Sequence, residues 1–256
     1  MISIRSTRVL IGLLGLNVLA GPALAGDTSP MFDVAFGGTL TTDYMSRGTT
    51  QTNGEPAAQG YIEADISQFY VGGFVSNVNY GFDDTEFDLS GGWRPEVGKF
   101  SFDFGAIGYF YAHDSGTNYG EIYAQVDYAA NDWLTVGGKL YYGPDYVQSG
   151  TADVYGEGNT EISLPWNFSV SGAVGYQSFE ESYGPSYWTW NAGLSWVWRD
   201  TVKFDVRYWD TNLSGAECAI ANTNAHACDA RVVGSISVDT SWSALKTLTG
   251  IGSAGR

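Results

Sequence analysis

From residue 188 to 198 the chain reads WTWNAGLSWVW, with Trp188, Trp190, Ala192, Leu194, Trp196 and Trp198 at even positions and Thr189, Asn191, Gly193 and Ser195 between them. Side chains alternate across a β-strand, so one face of this stretch is aromatic and apolar and the other small and polar. The same period of two returns in twelve segments bounded by turn residues: 32–44, 57–67, 70–80, 85–94, 99–112, 119–129, 133–142, 153–163, 166–177, 187–198, 201–209 and 230–242. No 3.6-residue period is sustained, and the chain reads as all-β. Short links follow segments two, four, six, eight and ten, as at Arg94-Pro95-Glu96-Val97-Gly98, Ala130-Asn131-Asp132 and Arg199-Asp200. Longer links follow segments one, seven, nine and eleven, and the other two, near Asp83-Asp84 and Asp114 to Asn118, are intermediate. Short turns at one end, long loops at the other and an even strand count predict a single antiparallel transmembrane β-barrel of twelve strands over residues 32–242.

Each face has its own chemistry. One carries Phe36, Leu40 and Tyr44 in the first segment, Phe87, Leu89 and Trp93 in the fourth, Phe100, Phe102 and Phe104 in the fifth, and the tryptophan row in the tenth, with no charge between the aromatic ends. A Lys or Arg facing mid-bilayer lipid costs roughly 2 to 4 kcal/mol, so this is the face expected to meet lipid. Segment three has two competing phases, Phe74 and Val78 against Val71 and Val75. The opposite face carries Asp33, Asp43, Glu63, Asp65, Glu86, Asp88, Asp103, Glu121, Asp127, Glu157, Glu161, Asp205 and Asp239 with Arg94, Lys139, Lys203, Arg207 and Arg231. A soluble sandwich would show the same alternation with its apolar face inward, but it would coat its outside with Lys and Glu. Here basic residues are scarce.

The tryptophan row now has a reason. At about 3.3 Å per residue the stretch from Trp188 to Trp198 is ~33 Å long, and a tilt of about 40° brings it to ~25 Å, the height of the apolar band of such barrels. The row Trp188, Trp190, Trp196 and Trp198, with Trp93, Trp166 and Trp242 on other segments, is expected to form aromatic girdles at the two interfaces.

Composition narrows the setting. Arg5 and Arg8 precede an apolar run from Val9 to Ala20 and then Ala23-Leu24-Ala25, so residues 1–25 read as a signal peptide and 26–31 as a short lead. The 256 residues hold 12 Lys plus Arg against 28 Asp plus Glu, a net charge of -16, which argues against nucleic acid as a partner. With 17 Tyr, 13 Phe and 9 Trp the chain is far too aromatic for disorder. Cys218 and Cys228 are consistent with one disulfide, expected to pin the tip of the longest loop. The only histidines are His113 and His226, too few to make a zinc site with those cysteines, and no metal or other cofactor is expected.

A narrow acidic passage is the leading functional expectation. The residues taken to line it are Asp43, Arg47, Glu63, Asp65, Asp88, Arg94, Asp103, Glu121, Asp127, Lys139, Glu157, Glu161, Lys203, Asp205 and Arg207. Inward Gly37, Gly105, Gly137, Gly175 and Gly193 are expected to leave room that Tyr61, Tyr109, Tyr111, Tyr123 and Tyr141 partly take back. An acidic lining attracts cations, so small solutes or ions with a weak cation preference are expected. Arg47, the first loop's only cation, is counted in that lining as a residue able to fold inward as a constriction, although capping a hairpin is its expected role. The alternatives are a closed structural barrel with acidic binding loops (Asp83, Asp84, Asp114, Asp145, Glu180, Glu181, Asp210) and, third, an outer-membrane lipase built near His113, Asp114 and Ser115. Consecutive residues on a strand end point to opposite faces, so those three do not make a triad, and no enzyme is expected.

The stretch Asp43-Tyr44-Met45-Ser46-Arg47-Gly48-Thr49-Thr50-Gln51-Thr52 with Pro56-Ala57-Ala58-Gln59-Gly60-Tyr61, then Phe69-Tyr70-Val71-Gly72-Gly73-Phe74-Val75-Ser76-Asn77-Val78 and Gly108-Tyr109-Phe110-Tyr111, resembles the TorF-type porin family of proteobacteria. The resemblance covers nearly all of the chain after residue 25. It implies an outer-membrane barrel of a Gram-negative bacterium in contact with lipid and lipopolysaccharide, inserted by the barrel assembly machinery, and it implies a pore without naming a solute. One departure stands out: the final strand-like stretch Ser235 to Trp242 ends on an aromatic, yet Ser243 to Arg256 follows as a tail, expected to be a periplasmic extension.

Overall fold

The computed structural model describes residues 32–80, 84–113, 115–180, 182–222 and 224–249. The expected signal peptide and lead, residues 1–31, and the end of the tail lie outside them. Twelve long strands run in order: β1 (Phe32–Thr41), β2 (Ala57–Ile66), β3 (Phe69–Asn77), β4 (Thr85–Trp93), β5 (Phe100–Tyr111), β6 (Tyr119–Ala129), β7 (Leu134–Gly143), β8 (Asp153–Leu164), β9 (Phe168–Phe179), β10 (Tyr187–Trp198), β11 (Val202–Thr211) and β12 (Arg231–Ser241). Each pairs antiparallel with its neighbours in sequence, and β1 pairs with β12 from Ala35 opposite Ser241 to Thr41 opposite Ser235. This closes the barrel and leaves no strand edge unpaired, as hydrocarbon demands of any sheet that crosses it.

The alternation decides which face is which. Leu40, Ile62, Leu89, Ile122, Leu194, Val206 and Val232 are exposed on the outside, while Glu86, Asp88, Glu121, Lys203 and Arg207 are buried within. Segment three resolves in favour of Val71 and Val75 outward, with Phe74 and Val78 buried inside. Tyr44 corrects the outward row assigned to it. β1 ends at Thr41, the chain leaves the wall, and Tyr44 turns into the lumen to donate a hydrogen bond from Oη to Glu86 Oε1 at 2.9 Å.

Aromatic side chains gather at both rims. At the short-turn end Trp196 stacks between Phe168 and Phe204, Trp93 stacks on Phe104, and Trp166 in the β8–β9 turn is 85% exposed. At the long-loop end Trp188 packs on Tyr176, and Trp190 is half-buried. Trp198 is exposed near the β10–β11 turn. Trp133, in the β6–β7 turn, is also exposed and joins the short-turn rim, although sequence reasoning left it out.

Two helices appear where no helical period was found. Helix α1 (Gly215–Asn222) sits in the last outer loop behind a capping box in which Ser214 and Glu217 bond each other: Ser214 N and Oγ donate to Glu217 Oε2, and Glu217 N donates to Ser214 Oγ. Helix α2 (Trp242–Thr249) corrects the strand expected to run through Trp242. Its first turn is tied to the start of β1, with Ser243 N and Oγ donating to Asp33. Eight residues are too few for a 3.6-residue period to stand out against the alternation before it.

Candidate functional site

Inward positions on the strands build a polar lumen held together in layers. Near the short-turn rim Arg94 lies over the ring of Tyr70, 3.5 Å from Cζ to the centroid, and meets Glu63 at 2.5 Å, Asp103 at 3.0 Å and Asp65 at 3.7 Å. Further along the wall Lys139 pairs with Glu157 at 3.0 Å. Arg207 bonds Asp205, Asn191 and Ser171. Lys203 is buried between these groups and lines a cavity of about 60 Å³ together with Asp43, Tyr44, Asp205 and Arg207. Carboxylates outnumber their cationic partners. Asp88 is 2% exposed with both carboxylate oxygens unpartnered, and Asp127, which accepts from Gln125, keeps one oxygen unpartnered.

The first loop does not stay outside but reaches into the outer end of the lumen. Residues 42–56 turn inward and form a small hairpin, Met45–Ser46 against Thr49–Thr50, with Arg47 and Gly48 at its tip. The tip crosses the lumen to the opposite wall. Arg47 Nη2 donates to Glu121 Oε2 at 2.6 Å, and Nη1 donates to Asp153 Oδ2 at 3.2 Å and Gln177 Oε1 at 3.1 Å. The guanidinium also faces Tyr141 and Tyr155, at 5.1 and 4.8 Å from their ring centroids. Arg47 therefore folds inward, contrary to the hairpin-capping role expected of it. Burial works most strongly against its charge, but the Glu121 carboxylate and the neighbouring tyrosine oxygens together more than offset it and hold the guanidinium's pKa above its ordinary value.

Neighbouring groups lock the hairpin in place. Tyr187 Oη donates to Arg47 O, and Thr50 N donates to Ala227 O in the last loop. Asp43 accepts from Thr50, Thr52 and Arg231. Gly48 has φ +83 and its α-carbon faces Thr189 and Thr211 so closely that a methyl group there would collide with both. From above, the disulfide between Cys218 and Cys228 shapes the last loop, and Asn224 of that loop bonds Asn53 of the first.

Inward glycines do not leave the space expected of them. Tyr123 lies across Gly105, its direct cross-strand partner, Tyr155 lies across Gly175, and Tyr61 covers Gly37. A methyl on Gly193 would meet Arg207 Cζ at 2.8 Å. Each missing side chain is filled by a neighbour laid flat along the wall, so the lumen is lined with tyrosine rather than widened. Asp153, Tyr155 and Tyr187 are lumenal residues that sequence reasoning passed over, although each shares the inward phase of its own strand.

The lipase alternative gains no geometry. His113 Nδ1 is 3.4 Å from Asp84 Oδ1 and both are exposed; Ser115 opens a 3₁₀ turn. Asp83, Asp114 and Glu181 lie outside the described residues. Among the described residues no group of three or more His, Cys, Asp or Glu is arranged to hold a metal ion.

The model of a bacterial family described as "Bacterial protein of unknown function (Gcw_chp)" matches residues 24–240. The chain belongs to the Gcw_chp family. No curated protein matches its sequence. Among solved structures, the KdgM porin superposes with a TM-score of 0.53 at 11% identity, covering 81% of this chain and 97% of that one. The KdgM porin in complex with disordered oligogalacturonate gives 0.52 at 12% identity, with 82% and 97% covered. The NanC porin gives 0.52 at 9% identity, with 80% and 98% covered. Likeness at such identities is one of architecture: the Gcw_chp chain has the fold of outer-membrane porin barrels.

Proposed function

We propose that this protein is a narrow outer-membrane channel of a Gram-negative bacterium that favours small cationic and neutral solutes, closed in this structure by its first loop. One observation carries the reading. A barrel with a largely uncharged, aromatic-rimmed exterior encloses a lumen in which carboxylates exceed cations and buried Asp88 has no partner. A lining in which carboxylates exceed cations attracts cations and repels anions. The resemblance to TorF-type porins supports the same kind of function. The KdgM porin is in complex with disordered oligogalacturonate, a polyanion, whereas an acidic lining such as this one disfavours polyanions.

The test is conductance of the refolded Arg47→Ala protein, without residues 1–25, in a planar bilayer under a potassium chloride gradient. Discrete steps with a cation-favouring reversal potential are expected. Equal permeability to potassium and chloride would remove the cation preference, and a folded barrel that stays silent even without its first loop would remove the channel. A closed structural barrel is the second reading. It is favoured by the ion pairs that tie Arg47, Arg94, Lys139 and Arg207 to carboxylates of the lining.

A further inference from the structure

The site that receives Arg47 is built entirely from the barrel wall. Glu121 comes from β6, Tyr141 from β7, Asp153 and Tyr155 from β8 and Gln177 from β9; only the guanidinium comes from the loop. Carboxylates at hydrogen-bond distance combined with aromatic faces are the chemistry that selects guanidinium and alkylammonium groups. We propose that this box is the binding site for solutes bearing a guanidinium or ammonium group, and that Arg47 is a tethered occupant which such solutes displace, opening the channel. The proposal rests on the channel reading and gives it a substrate class.

Three features of the site support displacement. The box holds an acceptor its occupant does not use: Glu121 Oε1 is unpartnered although the residue is 2% exposed. A free ligand with further N–H groups can satisfy it. The occupant is also seated against its own backbone preference. Arg47 and Gly48 have φ +49 and +83, as both central positions of a type I′ turn require, and a non-glycine residue there costs about 1 kcal/mol. Strain of this kind persists where the surroundings enforce it, here the ion pairs of the box. Finally, two buried carboxylates that touch one guanidinium repel each other once it leaves. The emptied box is relieved by a cation or by uptake of a proton. A neutral polyol cannot replace that charge, and an anion adds to the repulsion.

A tethered group competes at an effective concentration in the millimolar range, so a free ligand must reach comparable levels to open the wild-type channel. Removing the tether should tighten apparent binding about tenfold or more, because the box is then always available. The experiment uses agmatine as probe, with potassium chloride of equal ionic strength and sorbitol as controls, on the wild-type barrel, Arg47→Ala and the double variant Arg47→Ala/Glu121→Gln. Heat-modifiable gel mobility checks folding, bilayer currents read opening, and equilibrium dialysis reads binding. Agmatine should open the wild type. Arg47→Ala should conduct without it, and agmatine should bind and partly block that variant; the double variant should conduct and bind agmatine at least about tenfold more weakly than Arg47→Ala. A conducting Arg47→Ala whose current and dialysis respond to agmatine no more than to potassium chloride overturns the binding site and leaves the channel standing. A folded Arg47→Ala that binds agmatine but passes no current upholds the box and overturns the channel. A variant that neither conducts nor binds overturns both.

Discussion

At Gly105 the missing side chain is what lets Tyr123 lie flat, and the same exchange at Gly37 and Gly175 turns a glycine-rich inner face into a tyrosine-lined one. Inward orientation is legible from alternation. The filling of the lumen is not, because a period of two names the face a residue points to and says nothing of what lies across from it. Arg47 shows the limit most plainly: its partners are 74, 106 and 130 residues away, and no local pattern encodes such pairings. At the outer face the prediction is one of depth. Leu194→Lys, near the middle of β10, should cost about 2 to 4 kcal/mol of stability in liposomes, whereas Val232→Lys at the loop end of β12 should cost about 0 to 1 kcal/mol. Equal costs in urea titrations would mean that these two side chains do not differ in membrane depth.

The strands were the most legible elements. Twelve segments read from alternation became twelve strands with ends within a few residues, because lipid on one side and charge on the other constrain every position of a barrel wall. Short helices escaped, since a turn or two of α1 offers little periodicity, although Ser214-Gly215-Ala216-Glu217 carried a capping signal that could have located it. The loop around α1 also carries a prediction. Because Thr50 and Asn53 of the first loop bond Ala227 and Asn224 inside the disulfide loop, cutting that cross-link should loosen the hairpin while the hydrogen-bonded wall stays intact. Cys218→Ser/Cys228→Ser, or reduction of the wild type, should raise channel opening with unchanged folded-barrel mobility on gels. Identical single-channel records with and without reductant would show that the last loop does not restrain the first.

For the whole molecule, charge is the property that the sequence announced and the fold organised. A net charge of -16 is spread over a chain whose outward strand positions are largely uncharged, so the lumen and the loops must hold the excess. Lowering pH toward the ordinary carboxylate range near 4 protonates part of that lining. The sign follows directly: fewer fixed negative charges give weaker cation preference, so the reversal potential should fall toward zero between about pH 7 and pH 4 in a channel opened by Arg47→Ala. A potential independent of pH would place the selectivity outside the carboxylates.

The tie between Ser243 and Asp33 brings the two ends of the wall together on one rim, beside the β1–β12 pairing that closes the barrel. Strand order around the ring therefore has no privileged starting point. A circular permutant that joins the chain across this rim and reopens it in an outer loop keeps every pairing of the wall, and a cut in the first loop would free Arg47 on a dangling end instead of a tethered one.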